Sequence, residues 1–143
     1  MGRYRSVGAP AMISMSDYFG IWYDHEDATE AVKTNAGLML QCVNALLLQY
    51  PKTLPYNPHT GSLVSGTTFG GFRPKNCPQG AANSSHKEGN GIDIYDPHND
   101  LDAWITDDRL KNAWLYREDP SKTPGWLHLT TRAPGSGKRT FMP

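Results

Sequence analysis

A chain of 143 residues with 38% hydrophobic content and a mean hydropathy of -0.58 carries enough apolar material for one core, and residues 1–143 read as a single domain. Fourteen basic residues balance fourteen acidic ones, which excludes the global field that draws a protein to nucleic acid or an anionic membrane. Two cysteines, Cys42 and Cys77, are too few for a disulfide framework and fit synthesis in a reduced compartment.

The first residues, Met1-Gly2-Arg3-Tyr4-Arg5, lead into no long apolar segment, so neither a secretory signal nor a membrane span is expected. Gly2 with Ser6 alone does not make a myristoylation site. Residues 1–24 read as an irregular lead-in, whose aromatic cluster of Tyr18, Phe19, Trp22 and Tyr23 with Ile21 packs across the outside of a core. Asp27-Ala28-Thr29-Glu30 has capping-box spacing, with an acidic N-cap and a glutamate three residues on. A helix should follow. Val32, Ala36, Met39, Val43, Leu46 or Leu47, and Tyr50 recur at three- and four-residue steps, as one buried stripe requires, and Pro51 ends it. Cys42 on this helix reads as a small buried thiol.

Prolines enforce a loop over residues 51–58, with His59 at the surface, and Ser62-Leu63-Val64-Ser65 is a short strand candidate. The glycines of residues 66–71 lack the lysine and helix of a phosphate loop and predict instead a turn that presents Arg73. Residues 75–85, rich in proline, glycine, asparagine and serine, form a loop leading into His86.

Next comes the stretch richest in chemistry, Ser84-Ser85-His86-Lys87-Glu88-Gly89-Asn90-Gly91-Ile92-Asp93-Ile94. Alternation on a strand puts Ile92 and Ile94 on one face and Asp93 and Tyr95 on the other. Past a turn at residues 96–100, Leu101, Trp104, Ile105 and Leu110 predict the buried side of a second helix, with Asp102, Asp107 and Asp108 in solvent and His98 exposed. Residues 114–118 read as extended and are broken by Asp119-Pro120. In the run Trp126-Leu127-His128-Leu129-Thr130, Leu127 and Leu129 share one face, and Trp126, His128 and Thr130 the other. His128 repeats the arrangement of Asp93, and adjacent strands in one sheet would bring the two together. Gly135-Ser136-Gly137-Lys138 reads as a flexible turn.

His86, Asp93 and His128 meet the count of a catalytic zinc site, three protein ligands with one position open. Spacing alone fits a merely hydrogen-bonded His/Asp set as well. Ser85-His86 with Gly89 and Asp93, followed far downstream by Trp126-Leu127-His128, resembles the zinc motif of the D-Ala-D-Ala carboxypeptidase and L-Ala-D-Glu endopeptidase family, whose fold is shared with the Hedgehog signalling domain. Asn35-Ala36, Val43-Asn44-Ala45-Leu46-Leu47, Gly71-Phe72-Arg73-Pro74 and residues 136–143 extend the likeness to a small phage-associated branch.

The resemblance implies a zinc peptidase cutting peptidoglycan stem peptides, with Zn2+ on His86, Asp93 and His128 and with Arg73 holding substrate or the developing oxyanion. It also implies synthesis in a host cytoplasm and action on the wall after release, or as part of a virion. Many members carry an acid three residues before the final histidine as general base; here that place is Gly125. Glu118 is the replacement we expect, within a Glu-x-Pro element followed by Thr123 and Trp126-Leu127-His128, and Asp119 stands in reserve. A solvated glutamate beside Arg117 is its ordinary alternative. Trp126 is expected to pack beside the metal. The expected architecture is α+β, a small antiparallel sheet bearing the ligands with two main helices covering its other side, in a monomer. Gly125 leaves a second possibility, a zinc-stabilised binding or virion module without turnover.

Overall fold

The computed structural model describes residues 12–79 and 84–143. Helix α1, Met15–Phe19, is nucleated by a capping box: Ser14 Oγ accepts from the Asp17 N–H and the Asp17 carboxylate accepts from the Ser14 N–H, each at 3.0 Å. A 3-10 turn, Gly20–Trp22, continues it. Residues 15–22 of the expected irregular lead-in are therefore helical. Tyr18 and Phe19 are fully buried members of the core, not an outer cover. The expectations for residues 1–11 lie outside the described residues.

Helix α2, Glu30–Leu48, begins two residues later than the capping-box reading, because Thr29 is the N-cap and its hydroxyl accepts from Val32 N at 3.2 Å. Asp27 is engaged elsewhere, accepting from the Lys75 N–H at 2.8 Å. The expected stripe buries Ala36, Met39, Val43, Leu46 and Leu47, with Leu40 added. By length and composition α2 could cross a membrane, but this stripe belongs to the core. Cys42 is half-buried rather than buried as expected, and that partial burial pushes its thiol upward in pKa.

Strand β1, Gly91–Tyr95, is followed by two short helices, α3, Asp100–Trp104, and α4, Asp107–Asn112, where one helix was expected. Ile105 turns extended and is buried, and the Thr106 hydroxyl restarts the helix by accepting from Arg109 N at 3.2 Å. Asp96 caps α3, its two carboxylate oxygens accepting from Leu101 N and Asp102 N at 3.1 and 2.9 Å. Asp102 is not in solvent. It is 2% exposed and paired with Arg117 Nη1 at 2.8 Å.

Strands β2, Tyr116–Glu118, β3, Trp126–Thr130, and β4, Thr140–Phe141, complete a sheet of order β1-β3-β2-β4. The fold is α+β as expected, but the sheet is mixed: β1–β3 and β3–β2 are antiparallel, whereas β4 pairs parallel with β2. Residues 131–139 carry the chain back across the sheet so that it re-enters in the direction of β2. Residues 62–65 form two isolated bridges, Ser62 with Asn57 and Val64 with Ile94, rather than a strand, yet they flank β1, with Tyr95 N donating to Leu63 O and Ser65 N to Asp93 O. Ile92, Ile94, Leu127 and Leu129 turn one face of the sheet into the core, leaving the other for polar side chains.

Candidate metal centre

Antiparallel register sets Asp93 directly opposite His128. One further step along the β2–β3 pairing, Arg117 against Leu129, places Glu118 beside His128, and Glu118 pairs in turn with Phe141 on β4. Asp93, His128, Glu118 and Phe141 thus form one row across the polar face, since directly paired residues point the same way. His86 reaches this row from the 3-10 turn Ser85–Glu88, which Ser84 caps by accepting from the His86 N–H.

His86, Asp93 and His128 are 3%, 6% and 8% exposed, and their ligand atoms all lie within 4.8 Å of one another. Asp93 Oδ1 lies 3.2 Å from His86 Nε2 and 2.9 Å from His128 Nδ1, and Oδ2 accepts from Arg73 Nη2 at 3.1 Å. His86 Nδ1 lies 2.8 Å from the carbonyl oxygen of Gly71. A carbonyl only accepts, so this nitrogen carries the hydrogen and Nε2 of the neutral ring turns its lone pair toward the Asp93 carboxylate.

Burial pushes His86 below its ordinary pKa, against the pull of Asp93, and so favours that neutral ring. Burial alone would push Asp93 up; when the histidines carry protons, their charge and hydrogen bonds reverse this and hold it well below the usual carboxylate range, so the carboxylate stays ionised. Two electron-rich atoms facing each other inside a buried site suit a cation between them. The three side chains therefore fit a metal ion, with the Gly71 carbonyl orienting His86 from behind.

Gly71 can play that part only as glycine. A Cβ there would collide with the backbone carbonyl of Tyr18, against which the turn is laid. The Tyr18 hydroxyl donates to Gly91 O at 2.9 Å, tying the same segment to the start of β1, and burial drives its pKa far above the ordinary phenol value.

Arg73 is presented by the glycine turn as expected and is largely buried, with Nε donating to Phe69 O at 2.8 Å and Nη2 to Asp93. Its acidic partner is thus a residue of the site. Glu118, Trp126 and Arg73 line one cleft of about 470 Å3 with the three ligand side chains. Burial raises the Glu118 pKa, opposed by the charge of His128. Arg117 cannot hold Glu118 in solvent, because it lies on the opposite face of β2 and is paired with Asp102.

Among the described residues lining this cleft Glu118 is present and Asp119 is not. The Asp119 carboxylate caps the 3-10 turn Pro120–Lys122, accepting from Ser121 N at 2.9 Å, and hydrogen bonds from the Ser121 side chain and N–H lower its pKa. Gly125 has φ +86°, a left-handed backbone that disfavours an acid there, and its N–H donates to Asn99 Oδ1 at 2.9 Å. His59 and His98 are exposed, as expected.

Two participants were not assigned roles from sequence, the Gly71 carbonyl and Phe141. The Phe141 ring meets His128 edge-on at 6.3 Å. Both lie in segments that carried the family resemblance, which was the only signal for them. Comparison of the chain with protein-family models, with curated proteins and with solved structures gave no match.

Proposed function

We propose that the protein is a zinc-dependent peptidase that hydrolyses the stem peptides of peptidoglycan. The observation that carries this is the row Asp93–His128–Glu118, which sets a carboxylate outside the metal-binding trio beside that trio in one cleft. The choice of zinc follows from two imidazoles and one carboxylate, a donor set that catalytic zinc sites use. The choice of wall peptides rests on the resemblance of Ser85-His86, Asp93 and Trp126-Leu127-His128 to the carboxypeptidase and endopeptidase family, and the fold shared with the Hedgehog domain is part of the same proposal.

A zinc ion held by His86 Nε2, Asp93 Oδ1 and His128 Nδ1 would polarise a peptide carbonyl and lower the pKa of a water beside it. Glu118 receives the water proton at a carboxylate oxygen and passes it to the leaving nitrogen. Its raised pKa moves it toward the range where a carboxylate both takes and returns a proton. Arg73 has two of its five N–H groups engaged by Phe69 and Asp93, and the others would serve the oxygen on which negative charge develops. Action on the cell wall after release from a host cytoplasm, or within a virion, completes the proposal.

Gly125 favours one rival, a zinc-stabilised binding module without turnover. Purified peptidoglycan incubated with zinc-loaded protein decides between them. Release of new amino groups that stops on chelation and returns on adding zinc is expected. Stoichiometric zinc with no release selects the binding module, and protein that takes up no zinc overturns both.

A further inference from the structure

Glu118 stands on a short support. Strand β2 has three residues, of which Tyr116 and Arg117 pair with β3. On its other edge Arg117 N donates to Arg139 O at 2.8 Å and Asp119 N to Phe141 O at 2.7 Å, so β4, two residues long, holds the backbone on both sides of Glu118. Strands this short are marginal on their own, whereas a catalytic base has to be kept within about 0.5 Å of its working place. Something behind the strand must supply the difference.

That support converges on one buried carboxylate. Asp102 Oδ1 accepts from Nη1 of Arg117, the residue before Glu118, at 2.8 Å, and Asp102 Oδ2 accepts from the hydroxyl of Thr123, on the loop after it, at 3.4 Å. The same guanidinium donates to the Asp102 carbonyl at 2.7 Å and to Thr140 Oγ1 at 3.0 Å, and the Thr140 hydroxyl donates to Asp107 Oδ1 on α4 at 2.7 Å. Asn99, the left-handed N-cap residue of α3, secures the far end of the loop: Nδ2 donates to Thr123 O at 3.2 Å, and Oδ1 accepts from Gly125 N at 2.9 Å. The chain is thus held on both flanks of Glu118 by α3 and its cap.

Stability alone does not call for such a pair. Taking both charges out of water costs about what their attraction returns, and apolar residues of similar volume are often as stable or more so. What the arginine adds is direction, a planar fork that meets Asp102 Oδ1, Asp102 O and Thr140 Oγ1 at fixed angles. We propose, resting on the peptidase reading above, that Arg117 and Asp102 are positioning residues whose buried pair aims the Glu118 carboxylate at the attacking water. Neither is among the described residues lining the cleft, so the pair acts on turnover and not on the binding of substrate or zinc.

Two variants separate aim from stability. Arg117→Lys keeps a charge for Asp102 but loses the fork. Arg117→Met with Asp102→Leu removes both charges and should unfold at a urea midpoint nearer wild type than Arg117→Met alone. Initial rates of amino-group release from purified peptidoglycan, taken over a range of substrate concentrations at matched zinc content, should give each variant a kcat about 10- to 100-fold below wild type with KM within about twofold. In zinc-free protein, exchange of the Asp119 amide with solvent should quicken in both variants by a larger factor than exchange along α2. Wild-type kcat in either variant, a loss confined to KM, or unchanged Asp119 exchange overturns the positioning role and leaves the peptidase reading standing. A wild type that cleaves nothing with its zinc in place overturns that reading, and this proposal with it.

Discussion

At the residue scale, the backbone decides what the side chains can do. Gly125 occupies the place where the resembled family keeps its acid, yet its φ of +86° is a conformation that L residues enter at a cost of about 1–2 kcal/mol. No atom lies within 4 Å of an added Cβ, so the cost is conformational and not steric. Gly125→Glu should lower stability by about that amount, read from the urea midpoint, and should not replace Glu118 as base. Tyr18 gives a pH signature. Its folded pKa is raised, so its stabilisation is fully present below the unfolded value of about 10 and is lost as pH rises beyond it. Tyr18→Phe should cost about 1 kcal/mol at pH 8 through the lost bond to Gly91 O, and its urea midpoint should fall less than that of wild type between pH 8 and 11. The convergence of the candidate ligands was legible in the sequence because strand alternation displays Asp93 and His128 opposite apolar pairs. The Gly71 carbonyl was not, since a backbone acceptor leaves no mark in side-chain chemistry.

Among the elements, β2 matters most for the site and was the least clearly signalled. Its three residues divide between two faces: Glu118 enters the cleft, while Arg117 crosses to the core side. There Arg117 donates to the Asp102 carboxylate and backbone carbonyl at 2.8 and 2.7 Å, and its Nε donates to Thr140 Oγ1 at 3.0 Å. One guanidinium thus fastens α3 and β4 to the strand that carries the proposed base. Removing one partner strands a buried charge, so Arg117→Met should lose about 3–5 kcal/mol in urea unfolding, and the double change Arg117→Met with Asp102→Leu should lose less. Sequence pattern placed Asp102 in solvent because aspartate in an acidic run ordinarily faces water; the arginine that buries it lies on a separate strand. The helical lead-in, by contrast, was written in Ser14-Met15-Ser16-Asp17, a capping-box spacing that the aromatic cluster overshadowed. The parallel pairing of β4 has no such signal, because two residues carry no period.

For the molecule as a whole, one face of a small sheet is core and the other is the candidate site, so binding of a metal there would be linked to folding. The ligands come from a 3-10 turn, β1 and β3, and an ion that joins them binds the folded state alone. Zinc at one hundred times its dissociation constant should add about 2.7 kcal/mol of stability and raise the melting temperature by several degrees, and His128→Ala should abolish the shift. The α+β class followed from two strand patterns and one long helical stripe, whereas the mixed sheet order needed the three-dimensional path of residues 131–139. The account stands or falls on the distinct task of Glu118. The most direct measurement compares peptidoglycan hydrolysis by zinc-loaded wild type and zinc-loaded Glu118→Gln at matched zinc content. Wild type should cleave, and the variant should bind zinc equally while turning over about 100- to 10,000-fold more slowly. Equal rates, or an inert wild type with its zinc in place, would contradict it.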